Sequence, residues 1–457
     1  MEHWRTTCTS LGMCTILVLI LATGASIPTV MITQVLSLDD EMVGLLHVNV
    51  TTPREAIDAA RTAIESLIKR NPRLSPQFVR LGFKDCVGGC DGCLAVADPD
   101  NRGLEVPIAA LNPVVDAYSK HGVTRADLWA LAAMTGADVA QHPRERVDFK
   151  FEHYGRQTCE MSRETCRDIN KGIVPCDATH GPHRRFPSAD LTTHELLRFF
   201  DQSFGFDMRQ TVAIMGAHTL GRLRRQNSGF DGEKGWVDHQ ERLDNEYYQA
   251  LVGGNSPNDS LDVQINDTPN WQQRFIDNRN LPSVLDRYQW EPKRGNGGNH
   301  NGDDSNDGRD NKDDSDDNDN DNDNRDKRGE NDRNRRHLRS GKRNTRDNES
   351  LGEVMTNVDI ALVRDMEGFL AGDGKASCEF KERSNREQNR MRTCPVAHTL
   401  PQMAIYNSDN MAWLKDFRDV FTKMLLCGYD DHACSHDLCY VKPRPVRKET
   451  PSIFDSD

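Results

Sequence analysis

The sequence predicts a mostly α-helical chain. Three observations carry that expectation: helix-start signals at Thr52-Pro53-Arg54-Glu55, Ser75-Pro76 and Thr124-Arg125-Ala126-Asp127, apolar residues at helical spacing behind them, and a long amphipathic stretch from Asp409 to Leu426. Thr52 and Glu55 form a capping box for a helix reaching about Arg70, with Ile57, Ile64 and Ile68 on one face. Ser75 is the expected N-cap of the next helix and Pro76 its first residue, so this helix carries Arg80, Phe83 and Lys84.

Positions 80 and 84 lie one helical turn apart and project side by side. Two adjacent cations repel. They form either a solvated pair at a helix end or a pair facing something anionic or electron-rich. Further helices are signalled from Val106 to Tyr118 and from Thr124 through Trp129 to Met134. An apolar run from Val212 then brings in His218 and stops at Gly221; a lone histidine on an apolar face is more often a satisfied core residue than a ligand. The stretch Asp409 to Leu426 closes the domain with Trp413, Leu414, Phe417 and Phe421 on its apolar face.

With 457 residues and 36% apolar side chains, the chain is long enough for a sizeable core. A net charge of -13 argues against nucleic acid as a partner, because phosphate binding needs a basic surface. Residues 1–25 read as a secretory signal peptide: Arg5, an apolar run from Leu11 to Ala22, then Thr23-Gly24-Ala25-Ser26. That run is too short for a membrane span. Thirteen cysteines suit a secreted, disulfide-bonded protein, and the eleven left without Cys8 and Cys14 imply one free or intermolecular thiol. Sequons at Asn49, Asn258, Asn266 and Asn348 predict a glycoprotein.

Two motifs carry a family resemblance. Arg80-Leu81-Gly82-Phe83 with Asp85-Cys86, then Gly88-Gly89-Cys90-Asp91-Gly92, resembles the distal motif of the plant, fungal and bacterial haem peroxidase superfamily, and Gly216-Ala217-His218-Thr219-Leu220-Gly221 resembles its proximal motif. Asp98 to Leu104, Gly155-Arg156, Asp244 to Tyr248 and Thr356 to Leu362 resemble further family landmarks, and Asn227 through Trp236 resembles the branch of cytochrome c peroxidase and ascorbate peroxidase.

The resemblance implies a two-lobed helical fold with haem b between the lobes, built from residues 50–290 and 351–427. It implies that His218 ligates the iron, that Asp359 accepts the other ring N–H, and that Trp236 stacks beside the histidine and carries an oxidising equivalent. Arg80, Phe83 and Asn101 would form the distal side. The partners would be hydrogen peroxide and a small reducing donor such as a phenol. Lys84 stands where the family has its acid/base histidine, and losing that group typically costs about 10²–10⁴ in rate. A lysine buried beside Arg80 is pushed toward the neutral amine, which restores a base.

The resemblance also suggests calcium at Asp85 and Asp91, weakened by Cys93 in place of a hydroxyl, and a second cation at Thr219 and Asp244, where Val237, His239 and Arg242 match poorly.

Residues 291–350 differ in kind. Asp and Asn dominate Asp303 to Asp326, Arg and Lys dominate Arg325 to Arg346, and such a composition predicts disorder. The insertion is either a solvated loop or a binder of calcium or a mineral surface, and Arg325-Asp326-Lys327-Arg328 and Arg333-Asn334-Arg335-Arg336 resemble convertase sites. The Cys159 to Pro187 stretch and the 428–457 tail, with His180, His183, His432 and His436, are expected to hold disulfides rather than zinc. A second function class follows: a catalytically silent extracellular matrix protein acting through its insertion.

Overall fold

Capping boxes fix where several helices begin, and they fall where the sequence places them. Thr52 pairs with Glu55 ahead of α2 (Pro53–Arg70), and Thr124 with Asp127 ahead of α5 (Arg125–Val139). The remaining helices in chain order are α1 (Asp40–Leu46), α3 (Leu74–Cys86), α4 (Glu105–Tyr118), α6 (Thr193–Phe204), α7 (Met208–Met215), α8 (Arg225–Ser228), α9 (Glu246–Val252), α10 (Asn357–Ile360), α11 (Leu400–Ser408) and α12 (Asn410–Leu425).

The computed structural model describes residues 40–87, 90–96, 98–158, 165–168, 172–175, 186–232, 235–253, 271–281, 284–292, 353–381, 392–426, 429–435 and 438–443, with backbone alone at 40–41, 165–168, 172–175, 429–435 and 438–443. The signal peptide, nearly all of the 291–350 insertion, the sequons at Asn258, Asn266 and Asn348, the side chains of the Cys159 to Pro187 stretch before Phe186, and those of the tail from Cys427 onward lie outside the described residues.

One start differs from expectation. Helix α3 begins at Leu74 without a side-chain cap, because the Ser75 hydroxyl is buried and donates instead to the Gly136 carbonyl of α5 at 2.8 Å. A tertiary bond has displaced the local one.

Helices α2 to α5 pack into one group; α7, α9, α11 and α12 pack into another, with α6 against α7, and α12 touches α3 to join them. The core is therefore helix on helix. The closest approach lies between α3 and α5, where a Cβ placed at Gly82 would stand 2.4 Å from the Ala133 Cβ. Gly82→Ala gains about 1 kcal/mol in helix propensity but forces apart the helix that carries Arg80 and Lys84, at roughly 1–3 kcal/mol. A lowered denaturant midpoint is expected.

The strands Trp271–Ile276 and Arg287–Pro292 pair antiparallel, and Trp290 bridges to Met355. The chain leaves this hairpin at Pro292 and returns beside it at Glu353. Both ends of the insertion are thus anchored together, so the residues on either side of it keep their packing.

Candidate functional site

Helix α7 starts on the Asp207 and Gln210 capping box and ends at Met215, and the chain tightens into a 3₁₀ turn, Gly216–Thr219, that presents His218. Gly221 follows with φ +82°, a left-handed conformation suited to glycine, and its Cα approaches Pro76 of α3 so closely that a Cβ would lie 3.3 Å from the proline Cβ. The histidine turn and the distal helix therefore meet at this point.

Asp359 is brought to His218 from the far side of the insertion. It sits on α10 and is fully buried, and its Oδ1 lies 2.6 Å from His218 Nδ1. Trp236 Nε1 donates to Oδ2 at 3.1 Å, the Tyr247 hydroxyl donates to Oδ1 at 2.8 Å, and the Thr356 amide and hydroxyl donate to Oδ2 at 2.7 and 2.6 Å. Burial opposes the charge on Asp359, but the His218 contact and the Thr356 bonds outweigh it and hold its pKa below the usual carboxylate range. An ionised carboxylate only accepts, so His218 Nδ1 carries the hydrogen and Nε2 keeps its lone pair. Trp236 stacks on the imidazole, with centroids 4.4 Å apart and planes at 17°.

Arg80 and Lys84 emerge from α3. The Arg80 guanidinium donates to the Arg102 and Asp100 carbonyls at 3.0 and 3.1 Å, one on each side of Asn101. Its own surface is open, yet surrounding protein lowers its pKa to about 10, which leaves it charged at neutral pH. Lys84 is half-buried, and its Nζ lies 3.7 Å from the centre of the Phe186 ring. Burial first, and then the charge of Arg80, bring its pKa down to about 7, while Asp100 and Asp98 act in the opposite sense. The aromatic face also favours the ammonium form. Phe83 is half-buried and packs 6.4 Å from Phe200. Asn101 is 1% exposed; its Nδ2 donates to the Ala95 carbonyl, and its Oδ1 has no hydrogen-bond partner among the described residues.

The residues expected to hold calcium accept hydrogen bonds from the backbone of their own loop. Asp85 Oδ1 accepts the Gly92 and Cys93 amides at 2.8 and 3.2 Å, and Asp91 Oδ1 accepts the Cys93 amide at 3.2 Å. Cys93 is disulfide-bonded, so it offers no thiolate. Arg125 Nε donates to the Gly92 carbonyl at 2.7 Å, and its attraction to Asp85 and Asp91 puts a positive charge beside the loop. Thr219 does meet Asp244, with Oγ1 to Oδ1 at 3.4 Å, but Arg242 stands 3.6 Å from the same carboxylate. Among the described residues no group of three or more His, Cys, Asp or Glu side chains has the geometry to hold a metal ion.

Four contributors went unassigned in the sequence. Thr356 stands three residues before Asp359, a capping-box spacing that could have been read. Tyr247 was visible only as part of the Asp244 to Tyr248 landmark. Nothing local to Phe186 or Arg125 marks their contacts with Lys84 and the Gly92 loop.

A haem fits this set. His218 Nε2 is left as a free ligand atom by a buried carboxylate on Nδ1, and two cations with depressed pKa values stand on α3. The comparisons with known proteins agree. Residues 60–367 match the family model described as Peroxidase. A Yarrowia lipolytica protein named "Putative heme-binding peroxidase" is 30% identical over 199 residues, covering 39% of this chain and 57% of that protein. An Aspergillus fumigatus protein of the same name is 29% identical over 237 residues, 48% of this chain and 63% of its own. The rice protein L-ascorbate peroxidase 1, cytosolic (Oryza sativa subsp. indica) is 26% identical over 213 residues, 44% of this chain and 74% of its own. The chain spans about half the length of the fungal relatives it matches. The family model covers well over half of the sequence and includes both helices that bear the site, so this chain belongs to the peroxidase family.

Proposed function

We propose that this chain binds haem b through His218 Nε2 and uses it to reduce hydrogen peroxide at the expense of a small reducing donor, with Lys84 in place of the usual distal base. The observation that carries this reading is the His218–Asp359 pair, whose buried, fully hydrogen-bonded carboxylate directs one nitrogen outward. When bound, haem supplies the redox centre at which the O–O bond is broken. The protein's residues supply the rest. Asp359 orients the imidazole and raises its basicity, and Trp236 lies against it as an oxidisable ring. Arg80, tethered to two carbonyls, holds positive charge toward the developing anion. The neutral Lys84 amine takes the peroxide proton and returns it to the departing oxygen.

Export fits the leader and the cysteine chemistry, since Cys86–Cys90 and Cys378–Cys394 are disulfides and such bonds persist in oxidising compartments. Among the described residues no helix is long and apolar enough to cross a membrane.

The reading is tested by expressing the secreted chain with haem, recording the Soret band and mixing rapidly with hydrogen peroxide. A band that forms and shifts supports it; the absence of a band overturns it. The lysine has its own signature. Its pKa is lowered to about 7, so the reactive amine is populated above that pH and lost to protonation below it. The peroxide rate is expected to rise through about pH 7 and level off, and Lys84→Met is expected to be slow and flat across the same range.

A further inference from the structure

A line of touching aromatic rings leaves the proximal site and ends under the protein surface. From His218, which is stacked on Trp236, the next ring is Tyr247, edge-on with centroids 5.9 Å apart. Tyr248 follows at 5.3 Å and Tyr406 at a further 5.3 Å. All three tyrosines are fully buried. Their hydroxyls differ in what receives the proton. Tyr247 donates to Asp359, whose oxygens already accept from four other donors, and Tyr248 donates to the Val212 carbonyl, which is no base. Tyr406 donates to the carboxylate of Asp416. Asp416 in turn pairs at 2.7 Å with Arg209, whose side chain is 61% exposed.

A tyrosine yields an electron readily only if its proton leaves at the same time. Tyr406 alone among the three has an acceptor with room for that proton and a path from it to solvent.

We propose that Tyr247, Tyr248 and Tyr406 form an electron relay from Trp236 to the Arg209–Asp416 surface pair, where a one-electron phenolic donor too large for the haem cleft is oxidised. The proposal rests on the reading given above, with hydrogen peroxide as the oxidant. An oxidised Trp236 regains its electron from Tyr406 across the intervening rings. The Tyr406 proton moves to Asp416 and leaves a neutral tyrosyl radical. The surface donor then gives its electron to Tyr406, which takes the proton back from Asp416. Each phenol releases its own proton to solvent as it gives up its electron, and two such turns supply the two electrons that, with two protons taken from solvent, reduce one peroxide to two waters.

Freeze-quench electron paramagnetic resonance of the haem-loaded full chain after one equivalent of hydrogen peroxide tests the relay. A tyrosyl signal is expected, reduced at least tenfold in Tyr406→Phe and slowed at least tenfold in Asp416→Asn, but unchanged in Tyr288→Phe on the hairpin far along the chain. Oxidation of a phenol tethered to a soluble polymer should fall in step with the signal, while oxidation of free phenol persists. A tyrosyl signal of full size in Tyr406→Phe, or one lost equally in Tyr288→Phe, overturns the relay. A haem band that shifts with peroxide yet leaves no protein radical also overturns the relay and spares the peroxidase reading. A band that does not shift overturns both.

Discussion

Lys84→His is expected to raise the rate of reaction with hydrogen peroxide by at least a hundredfold. An oriented acid/base contributes about 10²–10⁴; the Lys84 amine, drawn over the Phe186 ring, supplies only a small part of that, and the parts that surround this position are already in place. Arg80 is tied to the Asp100 and Arg102 carbonyls and does not depend on residue 84 for its position. Between those two carbonyls, the buried Asn101 keeps its Oδ1 without a partner among the described residues, because its Nδ2 is committed to Ala95. A buried acceptor left unsatisfied costs about 1–3 kcal/mol, and the family resemblance implies that an imidazole N–H at position 84 would be its donor. The native lysine does not donate to it; its Nζ is drawn over the Phe186 ring instead. Stopped-flow measurement of the Soret change gives the rate directly. The double variant Lys84→His with Asn101→Ala should lose most of the gain, since the imidazole would no longer be oriented. A Lys84→His protein as slow as the parent would mean that the distal side lacks more than an oriented base.

The helices were legible because their signals are local. Thr52, Thr124 and Asp409 stand where capping residues should, and the apolar spacing behind Thr52 and Asp409 matches the buried faces of α2 and α12, while α5 is buried on all sides. Ser75 shows the limit of such signals: a buried hydroxyl with a carbonyl of another helix in reach abandons its own helix end. The proximal triad was legible for a different reason, namely that His218, Trp236 and Asp359 each sit in a motif that the family resemblance marks. Their convergence on one carboxylate was implied by that resemblance and is visible as distances only in the fold.

What the sequence hid is long-range. Phe186 lies in a cysteine- and histidine-rich stretch that invites a disulfide or zinc reading, and its contact with Lys84 spans about a hundred residues. Arg125 opens a helix, and only the fold swings its guanidinium onto the Gly92 loop, beside Asp85 and Asp91. Tyr248 was visible only within the Asp244 to Tyr248 landmark and Tyr406 carried no local signal, and both are buried in the core.

Asp359→Asn is expected to cost the protein most of its haem affinity, and Asp359→Ala is expected to cost it the fold as well. Five donors converge on the native carboxylate. Asparagine preserves the shape but has only one accepting oxygen. If that oxygen stays with Thr356 and Trp236, its NH₂ faces His218 Nδ1, which must then accept. The imidazole hydrogen moves to Nε2 and occupies the lone pair meant for iron. The hydrogen-bond partners that orient metal-bound histidines typically contribute 10- to 100-fold in metal affinity, and a reversed tautomer should reach the upper end. Alanine leaves all five donors without a partner in a site that is 0% exposed. At about 1–3 kcal/mol for each orphan that water does not reach, the loss falls among the largest seen for single substitutions, above about 4 kcal/mol.

Acid provides an independent check on the native residue. Its folded pKa lies below that of an unfolded aspartate, so its contribution is present above roughly pH 4 and is lost as pH falls through the lower folded value. Denaturant unfolding of the haem-free chain should therefore show an acid-labile component in the wild type that Asp359→Asn lacks. Wild-type haem affinity retained in Asp359→Asn, or an acid component unchanged by it, would show that the buried carboxylate does not govern His218.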